Sequence, residues 1–428
     1  MKTLLLAILI SLLPAAGCSS PEEGPTPAPG TAIDAEEIDR LVAHVSGARL
    51  VLLGEASHGT REFYQWRKAI SRRLIEDYDF DFIAVEGDWP AHHHLNLYVR
   101  GRGETEDIGE LFSVFDRWPP WMWRNRVTAD LVRWLRDFNR EEQREVGFYG
   151  MDVYGIPRSF ARVREEIREL APESADRVEE LLECIGRYAS DMHSYARDLS
   201  RGLPGCADQL AEAREYVRTN VLEDLEPHRA LNLDRNLSVL LHGERHYRAM
   251  VDPGMDNWNE RVEFMRETVE ELLRFHGPAS RGIIWAHNTH VGDARATIMT
   301  QRGQVNIGQL LRETHGPDRV RIIGFGTGTG TVKAGREWGA PGVVMEIPDP
   351  VEGSYEYLFQ QEEGDRLVLL FGPEDRRESP LLEPRGHRAI GVVYHPEREH
   401  LGNFVPSILP HRYDAFIFFR STTALREL

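Results

Sequence analysis

The stretch VLLGEASHGTREF, residues 51–63, places a carboxylate and an imidazole three positions apart, directly after an apolar run. Ser57 at its centre suggests the nucleophile turn of esterases. That turn requires Gly-x-Ser-x-Gly, however, and Gly54 lies three residues before Ser57 rather than two. We therefore interpret Glu55 and His58 as a general acid/base pair rather than as neighbours of a nucleophile.

Three further apolar runs also end in ionisable residues. They are followed by Glu86 and Asp88, by Asp152, and by His287 with His290. Ligands bind beyond the carboxyl ends of the strands in open α/β sheets, so we expect these residues to converge. A His held by a carboxylate can take a proton from water near neutral pH, and a second His can stabilise the oxyanion formed when hydroxide attacks a carbonyl.

An arginine and an aromatic run could complete such a site. Phe63, Trp66, Ile70 and Leu74 recur at intervals of three and four, which predicts a helix with one apolar face. Arg67 lies on this helix nine residues after His58, where it could reach the strand ends or remain a solvated helix arginine. The run FDRWPPWMWRN, residues 115–125, could place Trp121 and Trp123 in a groove for a bulky apolar ligand, or in the core.

Two histidine groups have spacings found in metal sites. Neither the triplet 92–94 nor the pair His242 and His246 has a further metal ligand that the sequence indicates. The pair also does not match the zinc motif H-E-x-x-H. We therefore predict neither a metal nor another cofactor. The run GFGTGTGTV, residues 324–332, lacks the lysine of a phosphate loop and the end of a dinucleotide fingerprint, so we predict a flexible loop.

Short apolar runs alternate with helical patterns along the chain. They predict strands at 50–53, 82–85, 146–149, 282–286, 320–325, 390–394 and 415–419. Most lack polar alternation, as expected for strands covered on both faces. The sequence thus predicts a layered α/β/α domain with a mainly parallel sheet, built from residues 35–157 and 276–428. Residues 158–275 are charged and helical in period, which predicts an inserted helical subdomain.

The first residues indicate export. Residues 1–17 read as a signal peptide, and the small residues before Cys18 look like a bacterial lipoprotein cleavage box, in which Cys18 becomes lipidated. The alternative is an ordinary signal cut nearby. Residues 18–34 are Pro- and Gly-rich and predict a tether. We therefore expect a lipid-anchored protein of the cell envelope.

Composition limits the partners. The chain has 51 basic and 69 acidic residues, a net charge of −18, which argues against nucleic acid and against electrostatic adhesion to anionic lipid. The lipid anchor is the only membrane contact we predict. Cys184 and Cys206 could form a disulfide in an exported protein, or remain two buried thiols.

Five stretches together resemble one known family. LGEASHGTREF, VEGDWP, GFYGMDVYG, WAHNTHVGD and RYDAFIFFRSTTAL, in that order, resemble the erythromycin esterase family, whose members open macrolide lactones. The resemblance runs from about residue 40 to the C-terminus. It implies metal-independent hydrolysis in which a His activates water without a covalent intermediate, at an active centre formed by Glu55, His58, Arg67, Glu86 and His287.

The resemblance also orders the roles. His287 is the favoured general base and His58 its competitor, while Glu55 and Glu86 orient the imidazoles and water. The usual Arg-Asp pair of the family appears here as Arg261-Val262. Residues expected to bind a small ester or lactone substrate are Asp88, Trp121, Trp123, Asp152, His290 and Arg261. The alternatives are a metal-dependent hydrolase with Glu55, His58 and His287 as ligands, and a non-catalytic binding lipoprotein.

Overall fold

The computed structural model describes residues 33–428. The predicted signal peptide, the predicted lipidation at Cys18 and the tether up to residue 32 lie outside the described residues. Asp34, the last residue of the predicted tether, caps the first helix by accepting the main-chain N–H groups of Glu36 and Glu37 at 2.9 and 3.2 Å.

The strands follow the predicted apolar runs, with additions near the C-terminus. They are β1 Leu50–Leu53, β2 Phe82–Asp88, β3 Gly147–Asp152, β4 Gly282–Trp285, β5 Val320–Ala334, β6 Val343–Ile347, β7 Arg366–Leu370, β8 Arg385–Arg388, β9 Phe404–Ser407 and β10 Ala415–Thr422.

Helices connect the strands. They are α1 Ala35–Val45, α2 Arg61–Tyr78, α3 Trp89–Val99, α4 Ile108–Phe112, α5 Arg126–Glu142, α6 Ile156–Leu170, α7 Ala175–Gly186, α8 Met192–Ser200, α9 Ala207–Asn220, α10 Pro227–Ala249, α11 Asn257–Phe275, α12 Asn288–Val291, α13 Ile307–His315, α14 Tyr355–Gln360, α15 Asp375–Glu378, α16 Glu399–Gly402 and α17 Leu409–Arg412.

The central sheet has the order β3-β2-β4-β1-β5-β10-β7. Its strands from β3 to β10 are parallel, whereas β7 is antiparallel to β10 and β6 is antiparallel to the far end of β5. Strands β8 and β9 form a separate pair. The prediction of a mainly parallel sheet is confirmed, and the carboxyl ends of β1 to β4 lie side by side.

The sheet is covered on both faces, which confirms the layered α/β arrangement. Along β1, Leu50 and Leu52 enter a core shared with helices α6 to α11, while Val51 and Leu53 enter a second core shared with α1, α2 and α5. Every element from residue 156 to residue 275 is helical. These helices share their core with the sheet, and the division of the chain into domains stays a prediction.

The predicted loop at residues 324–332 is wrong, because this segment is the middle of β5. Its glycines allow close packing rather than flexibility. A Cβ atom at Gly326 would lie 2.7 Å from the ring of Phe416, and one at Gly328 would overlap the side chain of Gln360. The alternation of Gly and Thr therefore leaves room on one face for large neighbours.

The predicted strand at residues 390–394 is also wrong. This segment makes only isolated bridges, from Ile390 to Ser57 and from Val393 to Gly335. It crosses between the loop after β1 and the end of β5, so neither neighbour runs alongside it long enough to form a ladder. Its position nevertheless places Val392 beside the cleft.

Cys184 and Cys206 form a disulfide, with their Cα atoms 5.7 Å apart. The bond joins the end of α7 to the residue before α9. Of the two alternatives that the sequence left open, the structure has the bridge. Within residues 33–428 no helix is both long and apolar enough to cross a membrane.

Candidate active site

The ends of four adjacent parallel strands bring the predicted polar residues together. Glu86 near the end of β2 accepts the main-chain N–H of His287, which follows β4, at 2.8 Å. The ring centres of His58 and His287 are 5.0 Å apart. Gly54 lets the segment after β4 lie close to the end of β1, since a Cβ atom at Gly54 would lie 2.1 Å from the side-chain oxygen of Asn288. Residues more than 200 positions apart thus share one edge of the sheet.

Glu55 is held from two sides. His58 Nδ1 donates to Glu55 Oε1 at 3.0 Å, and Arg67 Nη2 donates to Glu55 Oε2 at 2.7 Å. The carboxylate is fully buried, so the two partners replace the water that would otherwise solvate its charge. Because His58 donates through Nδ1, the Nε2 atom of its neutral ring is free to accept a proton.

Arg67 lies behind Glu55 and away from the cleft. Helix α2 buries Phe63, Trp66, Ile70 and Leu74 on its predicted apolar face, and Arg67 is buried with them at 0% exposure. Its guanidinium lies 4.3 Å from the ring centre of Tyr64 and 4.7 Å from that of Trp285. These contacts suit a positioning residue that fixes Glu55, rather than a group that meets the substrate.

His58 is set up electrostatically as a proton acceptor. Burial disfavours a charged ring, but Glu86 and Glu55 outweigh burial and raise the pKa of His58 above 6.5, while Arg261 opposes them. The residue is 7% exposed and lines the cleft. Its free nitrogen therefore belongs to a basic imidazole that substrate and water can reach.

A second ion cluster forms beside this pair. Arg261 donates to both oxygens of Asp152, at 2.9 and 2.6 Å, to Glu86 at 2.8 Å, and to His290 Nε2 at 3.2 Å. Burial raises the pKa of a carboxyl group, but His290, His58 and Arg261 hold the pKa of Glu86 well below its usual range. Glu86 is therefore ionised beside His58.

His287 has the opposite character from His58. Its Nδ1 contacts the hydroxyl of Thr289 at 2.8 Å and the main-chain N–H of Thr289 at 3.2 Å. Because a main-chain N–H can only donate, the proton of the neutral ring lies on Nε2. Burial and the neighbouring His58 lower the pKa of His287 well below 6.5, although Glu86 opposes them. Within the described residues Nε2 meets no acceptor in hydrogen-bond geometry. His287 is thus a neutral donor, and it is 4% exposed.

A cavity of about 300 Å³ opens over the strand ends. Its charged lining pairs internally: Arg117 binds both oxygens of Asp88 at 2.6 and 2.7 Å, and Arg158 binds Asp116 at 2.8 Å. The remaining wall is apolar or aromatic and consists of Ala91, Val114, Phe115, Pro119, Pro120, Met122, Trp123, Pro157, Trp338 and Val392, with Tyr154 and Gly155.

Four of the six residues expected to bind substrate line this cavity, namely Asp88, Trp123, Asp152 and Arg261. Trp121 is buried behind the wall and packs against Gly342. His290 is also buried, and it stacks on Trp258 with ring centres 4.3 Å apart. These two residues therefore support the wall from behind.

Sequence reasoning missed several polar or aromatic lining residues, among them Arg117, Tyr154 and Trp338. Arg117 lies in the quoted aromatic run, and Tyr154 follows Asp152 within GFYGMDVYG, so both were inside recognised stretches without an assigned role. Trp338 comes from the connection between β5 and β6. It is 62% exposed and packs against Trp118, with ring centres 4.6 Å apart. No local signal indicated that this connection returns to the cleft.

The other candidates have structural partners. His92 Nδ1 donates to the Asp88 carbonyl at 2.9 Å, and His242 pairs with Glu267 at 2.8 Å. Ser57 is fully buried against Thr60. Residues 33–428 contain no group of three or more His, Cys, Asp or Glu side chains placed to hold a metal ion.

Comparison with solved structures shows the same fold. A Bacillus cereus protein superposes with a TM-score of 0.76 at 18% identity, covering 94% of this chain and 96% of its own. A succinoglycan biosynthesis protein gives 0.73 at 19% identity, covering 92% and 93%. An erythromycin esterase mutant in its open conformation gives 0.64 at 20% identity, covering 93% and 96%.

Sequence comparison is more specific. Erythromycin esterase type II of Escherichia coli is 28% identical over 109 residues, 26% of this chain and only 24% of that protein. Erythromycin esterase type I of Escherichia coli is 23% identical over 303 residues, 66% and 71% of the two chains. The family model for erythromycin esterase matches residues 75–422, which include Glu86 and His287 and begin after His58. The chain therefore belongs to the erythromycin esterase family.

Proposed function

We propose that this protein hydrolyses carboxylic esters by attack of a water molecule that His58 activates. Membership of the family indicates a hydrolase of esters. The observation that carries the assignment of the base is the hydrogen bond from His58 Nδ1 to the buried Glu55 carboxylate, since it leaves Nε2 of a cleft-lining imidazole unprotonated. The choice of His58 over His287 rests on this contact.

The proposed reaction balances with one water. His58 Nε2 takes a proton from water, and the resulting hydroxide attacks the ester carbonyl carbon. The tetrahedral intermediate then collapses and breaks the bond to the alkoxy oxygen. The His58 imidazolium returns its proton to complete the alcohol, and the carboxylic acid product releases its remaining proton to solvent and leaves as a carboxylate. Glu55, fixed by Arg67, stabilises the imidazolium between these two transfers.

His287 has the complementary role in this proposal. Its Nε2 is buried just behind the cleft-lining His58 and has no hydrogen-bond partner within the described residues; in this proposal its N–H donates to the carbonyl oxygen of a substrate bound beside His58 as that atom gains negative charge. Its lowered pKa keeps His287 neutral, so His287 does not compete with His58 for a proton. Glu86 orients His287 by accepting a hydrogen bond from the main-chain N–H of His287.

The buried position of Ser57 supports a route without a covalent intermediate. Its hydroxyl is fully buried and hydrogen-bonded to Thr60, so it is not free to attack an ester carbon. Water attack needs only the base, the donor and space for substrate.

The lining of the cavity favours a neutral and largely apolar substrate. Its arginines are already neutralised by carboxylates, and most of its wall is apolar. A volume of about 300 Å³ is at the lower end of the roughly 300–1,000 Å³ usual for ligand pockets. The site therefore suits a small ester or lactone, or the ester-bearing part of a larger ring such as a macrolide.

We also propose that the mature protein is exported and anchored through lipidated Cys18. The disulfide between Cys184 and Cys206 supports export, because such bonds persist in oxidising compartments. The anchor would hold the domain at the envelope, where it would meet an ester on its way into the cell.

Incubation of the tether-free protein with erythromycin and a panel of simpler lactones and esters tests the reaction. We expect at least one substrate to gain the mass of one water, equally with and without a strong chelator. Mass spectrometry of the products measures this. Activity that is lost on chelation would instead support a metal-dependent hydrolase, and saturable binding without any product would support a binding lipoprotein.

Paired substitutions separate the two histidines. His58→Ala and His58→Gln should both lose about 1,000-fold in kcat, because neither side chain can accept the proton. His287→Ala should lose about 100-fold, as for loss of one oxyanion donor. His287→Gln retains an N–H near the same position and should recover much of that loss. Steady-state kinetics decides: an active His58→Gln protein together with an inactive His287→Gln protein would reverse the assignment.

The pH profile tests the electrostatics of the base. His58 must be neutral to act, and its pKa is raised, so kcat/KM should fall in acid with a midpoint above pH 6.5. Glu55→Gln removes one of the charges that raise this pKa and should move the midpoint to lower pH. Glu244→Gln, a buried carboxylate in α10 that pairs with Tyr195, is the control and should leave it unchanged. A midpoint insensitive to Glu55→Gln would contradict the pairing.

The N-terminus of the protein purified from its native membranes tests the anchor. We expect mass spectrometry to find Cys18 as the first residue, carrying acyl chains. A chain cut elsewhere without acyl groups, or one that retains Met1, would contradict the proposed lipidation.

A further inference from the structure

Among residues 33–428, Tyr154 is the one tyrosine that lines the cleft, and the proposed reaction does not use it. It follows β3 by two residues, immediately before Gly155. A Cβ atom at Gly155 would lie 2.7 Å from the ring of Pro90, so the main chain beside Tyr154 is packed tightly against α3. The backbone that carries this tyrosine is therefore held at a defined position on the cavity wall.

The ring of Tyr154 is also fixed from several sides. The guanidinium carbons of Arg117 and Arg261 both lie 5.1 Å from its centre, and His246 meets it edge to face at 5.3 Å. The two arginines are themselves held by Asp88 and Asp152. Cation–π contacts of this kind orient the ring without using its hydroxyl.

The hydroxyl of Tyr154 forms no hydrogen bond with any of residues 33–428, although the side chain is only partly exposed and lines the cavity. A tyrosine hydroxyl in such a place normally has a partner. Burial raises the pKa of Tyr154 above 10, with Arg261 opposing it, so the group stays protonated at neutral pH. Tyr154 thus offers a hydrogen-bond donor that no described residue engages, on a side chain that lines the cavity where substrate would bind.

Ester hydrolysis creates negative charge on two oxygens. The carbonyl oxygen gains charge as hydroxide attacks, and the alkoxy oxygen gains charge as its bond to carbon breaks. His287, beside His58, suits the first. Tyr154 belongs to another part of the cavity wall, beside Arg117 and Arg261, where its hydroxyl can serve the second oxygen.

We propose that the Tyr154 hydroxyl donates a hydrogen bond to the alkoxy oxygen of the substrate and stabilises it as it leaves. This assignment rests on the proposed ester hydrolysis. Tyr154 keeps its own proton throughout, since the His58 imidazolium supplies the proton that completes the alcohol. Tyr154 is then a further catalytic residue, and its effect depends on how much help the leaving group needs.

Tyr154→Phe tests this by removing one oxygen while retaining the ring between the arginines. On an alkyl ester, whose alkoxide is a poor leaving group, we expect kcat to fall about 100-fold. On the p-nitrophenyl ester of the same acid, whose phenolate leaves unaided, we expect a loss of less than about threefold, as no donor is needed. Tyr216→Phe in α9, which removes a remote hydroxyl, should change neither rate.

Each outcome decides a different point. If Tyr154→Phe loses activity equally on the two esters, or loses none on either, the contact to the alkoxy oxygen is overturned. The proposed function still stands in both cases if the wild-type protein hydrolyses the two esters. Absence of wild-type hydrolysis of any ester overturns the proposed function and this assignment with it. Thermal unfolding of Tyr154→Phe should match that of the wild type, because the cation–π contacts remain.

Discussion

A buried carboxylate between a cation and an imidazole is the interaction on which this site depends. Glu55 is fully buried, and within residues 33–428 its carboxylate accepts hydrogen bonds from Arg67 on one side and His58 on the other. Removing either partner would leave a buried charge poorly compensated, which costs several kcal/mol in typical cases. The same contacts carry the proposed function, because Glu55 both orients the His58 ring and fixes which nitrogen carries its proton.

The parallel sheet supplies the second constraint. Adjacent strand ends bring Glu86 and Asp152 to one guanidinium, since Nη2 of Arg261 donates to both carboxylates and its positive charge offsets their mutual repulsion. Arg261 comes from α11, so the helices of residues 156–275 contribute directly to the chemistry of the strand ends. The ring centres of the two histidines are 5.0 Å apart, but their pKa values shift in opposite directions. Glu86 and Glu55 outweigh burial and raise the pKa of His58, while burial next to His58 lowers the pKa of His287 and keeps it neutral.

Much of this arrangement follows from local sequence. Continuous apolar runs predicted the parallel strands, and the spacing of Phe63, Trp66, Ile70 and Leu74 predicted the buried face of α2. What escaped prediction depends on distant packing. The glycines of residues 324–332 accommodate Phe416 and Gln360, and Trp338 returns to the cleft across a long connection. Likewise, sequence spacing cannot show which nitrogen of His58 or His287 carries the proton, because a contact with Glu55 or Thr289 decides it. The residues of the centre were thus predictable, whereas their separate roles required the contacts.

Nitrogen NMR of the histidine side chains can show directly whether His58 is the base. The imidazole signals that disappear in a His58→Gln variant identify His58. We predict that the neutral ring of His58 carries its proton on Nδ1, toward Glu55, and that it titrates with a midpoint above pH 6.5. A neutral ring protonated on Nε2, or a midpoint below pH 6.5, would contradict the assignment of His58 as the base.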